Sequence, residues 1–195
     1  MQKKILLLFV VAIQVITLAA QKTEYITLTN IPYYPENVRQ ADAYIASRCV
    51  LDVYYPKNQK SFGTVVWFHG GGLTAGNKEI PEQLKGQGLC IIGVNYRLSP
   101  KVHSPEFIKD AAAAVAWTFQ HIAEYGGDAK SIFVAGHSAG GYLTAMIGLD
   151  KRWLAAYGVD ANRIAGLIPL SPQTITHFTI RKERGIAETT PVVDE

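Results

Sequence analysis

The sequence predicts an α/β fold, with a mainly parallel sheet and helices on both faces. Three observations carry that expectation. Apolar runs of strand length recur along the chain and stop at glycine or proline. A long segment between two of them repeats its apolar residues at helical spacing. Strands and helices alternate, which is the order of a parallel sheet with helical crossovers.

The elements follow in chain order. "CVLDVYYP" (Cys49 to Pro56) has the β-branched and aromatic content of a strand and is stopped by Pro56. "GTVVWFHG" (Gly63 to Gly70), "LCIIGVNY" (Leu89 to Tyr96), "SIFVAG" (Ser131 to Gly136) and "IAGLIPL" (Ile164 to Leu170) repeat the form. Their apolar residues run on without alternation, as in parallel strands covered on both sides. The expected sheet joins strands near 50–54, 64–68, 90–95, 131–135 and 165–170, the last four parallel. Between the third and fourth lies a helix from about Ser104 to Tyr125, with Ile108, Ala111, Val115, Phe119 and Ile122 on one stripe. Ser104 is its expected cap and Pro105 its first residue, and Gly126 and Gly127 end it. A second helix is expected over about Ala139 to Leu149. Beyond Leu170 the chain turns polar and threonine-rich.

Composition bounds the remaining possibilities. The 195 residues are 48% hydrophobic and 18% charged, enough apolar mass for one core. Lys3 and Lys4 precede the nine-residue apolar run "ILLLFVVAI", and small residues follow at Ala19 and Ala20. That run is too short to span a bilayer but suits a signal peptide cleaved near Ala20. The mature chain is then expected to begin at Gln21 and to be secreted or periplasmic. Removing residues 1–20 lowers the net charge from +3 to +1, with 17 basic residues against 16 acidic. A near-neutral chain offers no argument for nucleic acid or a membrane surface as partner. Cys49 and Cys90 are expected as two unpaired thiols, Cys90 inside a buried strand.

The chemistry concentrates in two glycine-rich stretches, each directly after a strand. "GHSAGG" (Gly136 to Gly141) places Ser138 between a strand and a helix, the G-x-S-x-G elbow at which serine hydrolases hold a nucleophile. By itself this could be a small-residue turn. "HGGG" (His69 to Gly72) follows the strand "TVVWF". Consecutive glycines are costly in backbone entropy. They make sense where main-chain N–H groups must reach a developing oxyanion with no side chain in the way. The amides of Gly71, Gly72 and Ala139 are the expected donors.

With both stretches in this order, the chain resembles an α/β-hydrolase of the carboxylesterase branch, similar to hormone-sensitive-lipase-like enzymes and secreted feruloyl or acetyl-xylan esterases. "LDVYYP", "WFHGGGLTAGNK", "VNYRLSP", "DAAAAVAW" and "YGGDAKSIFVAGHSAGG" stand in that family's order, from about Leu51 to Leu170. The resemblance implies a serine hydrolase acting on carboxylic esters through an acyl-enzyme on Ser138. Its substrate would be a small ester or an acylated carbohydrate carrying acetyl or feruloyl groups. Arg97 and Asp110 match a structural ion pair beside the elbow, and His69 and His137 match loop-shaping residues rather than the base. No cofactor and no metal is implied. An amidase or peptidase of the same fold is the alternative.

One departure bears on activity. In this fold the triad follows the order Ser, acid, His. After Ser138 the sequence offers His177 as its only histidine, in a polar segment before any further strand, and it ends at Glu195. The expectation is therefore of a fragment. Residues 21–195 would form one partial hydrolase domain, with a core over 50–170 and the start of a cap or insert over 171–195. The triad acid and histidine would lie beyond Glu195, leaving the chain as given nearly inactive or catalytically silent.

Overall fold

The computed structural model describes residues 23–173 and 176–186. The signal peptide expected over residues 1–20 lies outside the described residues. Six strands form one sheet: β1 (Tyr25–Pro32), β2 (Val50–Pro56), β3 (Phe62–Phe68), β4 (Cys90–Val94), β5 (Gly127–His137) and β6 (Gly166–Leu170). Their spatial order is β1-β2-β4-β3-β5-β6. β3, β4, β5 and β6 run parallel, as expected, and β2 lies antiparallel to β4. Sequence reasoning placed nothing on β1, which pairs antiparallel with β2 at the edge. Its middle residues are exposed, so the run carries little of the burial pattern by which the other strands are recognised. Tyr25 anchors it by stacking on Tyr54, ring centroids 4.5 Å apart.

The helices are α1 (Glu36–Ala41), α2 (Ala43–Arg48), α3 (Glu106–Tyr125), α4 (Ala139–Leu149), α5 (Arg152–Ala155) and α6 (Phe178–Glu183), with 3₁₀ turns at Glu82–Leu84 and Ala161–Arg163. α2 is capped by Asp42, whose side chain accepts from the amides of Tyr44 and Ile45. α4 has the expected limits. α3 starts one residue later than its expected first position. Pro105 stands at the cap with non-helical angles (φ −103°, ψ 20°), and Ser104 provides no cap. The Ser104 N–H instead donates to the Glu183 carboxylate (3.1 Å). The C-terminus is as expected: Gly126 adopts a left-handed conformation (φ 97°), and β5 begins at Gly127, four residues earlier than its apolar run.

Alternate strand residues divide the interior into two layers. Val66, Phe68, Ile92, Val94, Ile132 and Val134 face α3 and α4 in the larger core. Val65, Trp67, Ile91 and Ala135 point to the opposite face and are met by Ile80 and Leu84, around the 3₁₀ turn at Glu82–Leu84. Among the described residues the helical cover is thus lopsided, with the long α-helices on one face and a single 3₁₀ turn on the other. β6 is an edge among the described strands, and its Ile168 and Leu170 are exposed. Cys49 and Cys90 are both buried and unpaired, as expected, and burial pushes the Cys90 thiol up to about 12.

Register sets where chemistry can occur. Phe68 pairs with both Val94 and Gly136, and Gly136 with Pro169. The carboxyl ends of all four parallel strands therefore reach one level. The loop from His69, the elbow at Ser138 and the chain after Leu170 emerge side by side there, at the edge where open α/β sheets hold their sites.

Candidate active site

Ser138 occupies the corner between β5 and α4 with φ 55° and ψ −114°, angles that side-chain-bearing residues seldom adopt. Such strain costs of order 1–3 kcal/mol and persists only where the surroundings over-determine it. Both sides of its backbone are tied: the Ser138 N–H donates to the Leu170 carbonyl (2.9 Å), and its carbonyl accepts from Tyr142 N–H at the start of α4 (2.9 Å). Close approach explains the flanking glycines. A Cβ at Gly140 would stand 2.0 Å from the Phe68 carbonyl oxygen, and one at Gly136 would stand 2.5 Å from that of Gly140. The Ser138 side chain remains partly exposed at the sheet edge.

The loop after β3 lies directly against this corner: a Cβ at Gly70 would sit 3.6 Å from Ser138 Cβ. Gly71 has φ 108°, and its carbonyl accepts from the amides of Thr74 (3.1 Å) and Ala75 (3.0 Å), closing a tight turn. A side chain at Gly71 would strike the Ala75 carbonyl at 2.2 Å. Among the described residues none accepts from the amides of Gly71 or Gly72. Ala139 heads α4, where first-turn amides have no intrahelical partner. The structure thus brings Ser138, Gly71, Gly72 and Ala139 to one place, from stretches more than sixty residues apart in the chain.

His69 is buried with its ring stacked on Tyr96 (4.4 Å between centroids). Its Nδ1 lies 2.6 Å from the Gly70 carbonyl, which can only accept, so that nitrogen carries the proton. Burial pulls its pKa down to about 4. The Gly70 carbonyl opposes that shift, and the Arg48 charge adds to it. The ring is therefore a neutral fixture of the loop, and His137 is an exposed residue at the end of β5. His177 is fully buried. Its Nδ1 accepts from the Thr179 amide, its Nε2 has no hydrogen-bond partner among the described residues, and burial lowers its pKa to about 4. It is not hydrogen-bonded to Ser138.

The Arg97–Asp110 pair stands as expected. Fully buried Asp110 accepts from Arg97 N–H (2.9 Å), Nε (2.9 Å) and Nη2 (2.8 Å), and from the Tyr34 hydroxyl (2.8 Å). The pair locks the chain after β4 to α3, on the side of the sheet that carries the larger core.

Sequence reasoning missed several neighbours of the site. Thr179 donates its hydroxyl hydrogen to the Gly72 carbonyl, and the Phe178 ring packs so closely that a Cβ at Gly72 would meet it at 2.8 Å. Arg48 reaches the same loop from α2. No local pattern marks these residues, because each acts on a partner far away in the chain. Among the described residues, no group of three or more His, Cys, Asp or Glu is placed to hold a metal ion, and no helix is long and apolar enough to cross a membrane.

The geometry can be set beside known proteins. The profile of the family BD-FAE matches residues 51–165. The chain is 35% identical over 108 residues to the probable carboxylic ester hydrolase LipM of Mycobacterium tuberculosis, a stretch that covers 51% of this chain and 25% of LipM. In three dimensions it is similar to esterase B of Lactobacillus rhamnosis (TM-score 0.57, 24% identity, 76% of this chain and 45% of that one), a likeness of fold. It is also similar to a truncated form of a carbohydrate esterase from gut microbiota (TM-score 0.54, 28% identity, 67% of this chain and 45% of that one). The chain thus spans less than half the length of each relative.

Proposed function

The chain belongs to the BD-FAE family, within the α/β-hydrolase fold, and on that premise we propose that it carries the nucleophile and oxyanion hole of a serine carboxylic-ester hydrolase. The observation that carries the reading is Ser138, held at φ 55° on a strand-to-helix corner, beside a glycine loop whose Gly71 and Gly72 amides have no acceptor among the described residues. In this mechanism Ser138 Oγ attacks the ester carbonyl as its proton leaves to a base. The carbonyl oxygen becomes an oxyanion held by the amides of Gly71, Gly72 and Ala139. Collapse expels the alcohol and leaves the acyl group on Ser138, and water then releases it as the acid. The base is a group other than His69 and His177. The first has its Nδ1 engaged by the Gly70 carbonyl and its Nε2 facing Arg48 of α2, and the second has no hydrogen bond to Ser138.

The likeness to a carbohydrate esterase supports acyl groups on carbohydrate as the substrate. The test is hydrolysis of p-nitrophenyl acetate and of acetylated xylan by the full product of the gene that encodes this sequence. Ser138→Ala should abolish turnover of both. A complete site stripped of one triad member still retains roughly 10³–10⁴-fold catalysis over water, so a weak residual rate is compatible with the reading. A Ser138→Ala protein as fast as its parent would sink it.

A further inference from the structure

The oxyanion loop is held by its own bonds only around the turn on the Gly71 carbonyl and at His69, whose Nδ1 meets the Gly70 carbonyl. From His69 to Asn77 it has no regular secondary structure, and Gly71, Gly72, Leu73 and Gly76 all have positive φ. The rest of the segment is fixed by partners outside it. One side chain reaches it at several points. Arg48, the last residue of α2, donates from Nη2 to the Gly76 carbonyl (2.6 Å) and from Nη1 to Asn77 Oδ1 (2.6 Å). Its Nε donates to the Tyr96 carbonyl beyond β4 (3.0 Å), and its Nη2 lies 3.4 Å from His69 Nε2. The planar fork of the guanidinium allows one side chain to satisfy acceptors on separate segments at once, which a lysine ammonium cannot do in the same geometry.

We propose that Arg48 is a positioning residue of the oxyanion hole, clamping the His69–Asn77 loop to the post-β4 segment so that the Gly71 and Gly72 amides are fixed beside Ser138 before substrate arrives. The connection from clamp to amides is short. Gly76 returns against the start of the loop so tightly that a Cβ there would lie 2.3 Å from His69 Nδ1 and 2.6 Å from the Gly70 carbonyl oxygen. Fixing the Gly76 carbonyl thereby fixes His69 and Gly70, and between them and Gly76 runs the turn closed on the Gly71 carbonyl. The clamp also assigns the tautomer of His69. With its proton on Nδ1 committed to Gly70, Nε2 presents a lone pair to Arg48, and a proton added there would face a cation. The groups around the imidazole agree with a neutral ring. Arg48 of α2 disfavours charge, Tyr96 stacks on the ring and donates its hydroxyl hydrogen to the His69 carbonyl (2.8 Å), and Glu79, two residues past the loop, acts the other way.

The effect on turnover rests on the ester-hydrolase reading; the clamp itself does not, and the experiment separates them. Arg48→Met and Arg48→Lys are made in the full product of the gene that encodes this sequence. Amide exchange at Thr74 and Ala75, which report the Gly71 turn, is followed by NMR together with the titration and tautomer of the His69 ring. Arg48→Met should speed exchange at those two amides by about tenfold or more, leave α3 unchanged and raise the His69 midpoint. Arg48→Lys should keep the midpoint, because the charge remains, and still lose part of the protection. With p-nitrophenyl acetate, Arg48→Met should lower kcat by about tenfold at unchanged KM, since loss of one oxyanion donor costs about 10²–10³ and here the donors are displaced rather than removed. Unchanged exchange at Thr74 and Ala75 in Arg48→Met overturns the proposal, as does an equal rise throughout the chain. If Arg48→Met does not fold, parental protection in Arg48→Lys overturns it. A parent protein without esterase activity refutes the proposed function while leaving the clamp to be judged by exchange alone.

Discussion

Replacing Asp110 by alanine removes the acceptor of four hydrogen bonds at once, from Arg97 N–H, Nε and Nη2 and from the Tyr34 hydroxyl. The Arg97 side chain, 7% exposed, stays in place with its charge. Glu106 and Asp42, at 3.1 and 3.4 Å, remain near and soften the loss without filling the vacated site. Breaking a buried pair by deleting one partner costs about 3–5 kcal/mol, because the surviving charge is left in a medium that solvates it poorly. For a domain of this size each kcal/mol shifts Tm by about 2–4 °C, so Asp110→Ala should melt about 6–20 °C lower. The assay is urea unfolding followed by circular dichroism, on Asp110→Ala, Arg97→Met and the double variant. The double variant should lose less than the sum of the two single losses, since removing both partners leaves no orphaned charge. A loss under about 1 kcal/mol for Asp110→Ala, or strictly additive losses, would refute the view that this pair fastens the post-β4 segment to α3.

Two further outcomes follow from the same geometry. Gly140→Ala would ordinarily favour a helix by up to about 1 kcal/mol, yet here its methyl meets the Phe68 carbonyl at 2.0 Å. The urea midpoint should therefore fall by the equivalent of about 1–3 kcal/mol, and a rise would show that the elbow is looser than described. His69 and His177 have folded pKa values lowered from 6.5 to about 4, so between those limits the unfolded chain binds more protons than the folded one. Stability is accordingly full above pH 6.5 and lost on acidification towards pH 4, by up to about 3 kcal/mol for each histidine. Urea midpoints that stay flat from pH 7 to 4.5 would contradict this.

Much of the architecture was written locally. The parallel strands announce themselves as unbroken apolar runs because both their faces are covered, and α4 as a helix because the elbow glycines mark its start. Ser138, Gly71, Gly72 and Ala139 could be nominated from the sequence for a related reason. Tight corners and bare amides demand particular residue types in immediate succession, whatever the rest of the chain does. Other features depended on partners that no short window contains. The Arg48 bond to Gly76 spans 28 residues, the Tyr34 bond to Asp110 spans 76 and the Thr179 bond to Gly72 spans 107. β1 has no buried residue, so its place at the sheet edge came from pairing with β2 rather than from its own pattern. Ser104 had the composition of a cap, but Pro105 took a non-helical conformation and Glu183 claimed the Ser104 amide. His177, the sequence's remaining candidate base, lies buried with its Nδ1 accepting from the Thr179 amide, a placement no local pattern announces. Sequence alone determined which backbone corners could be built, since steric rules act between neighbours. Which side chains hold those corners in place was decided only by the tertiary structure, because hydrogen bonds and burial act across space without regard to distance along the chain.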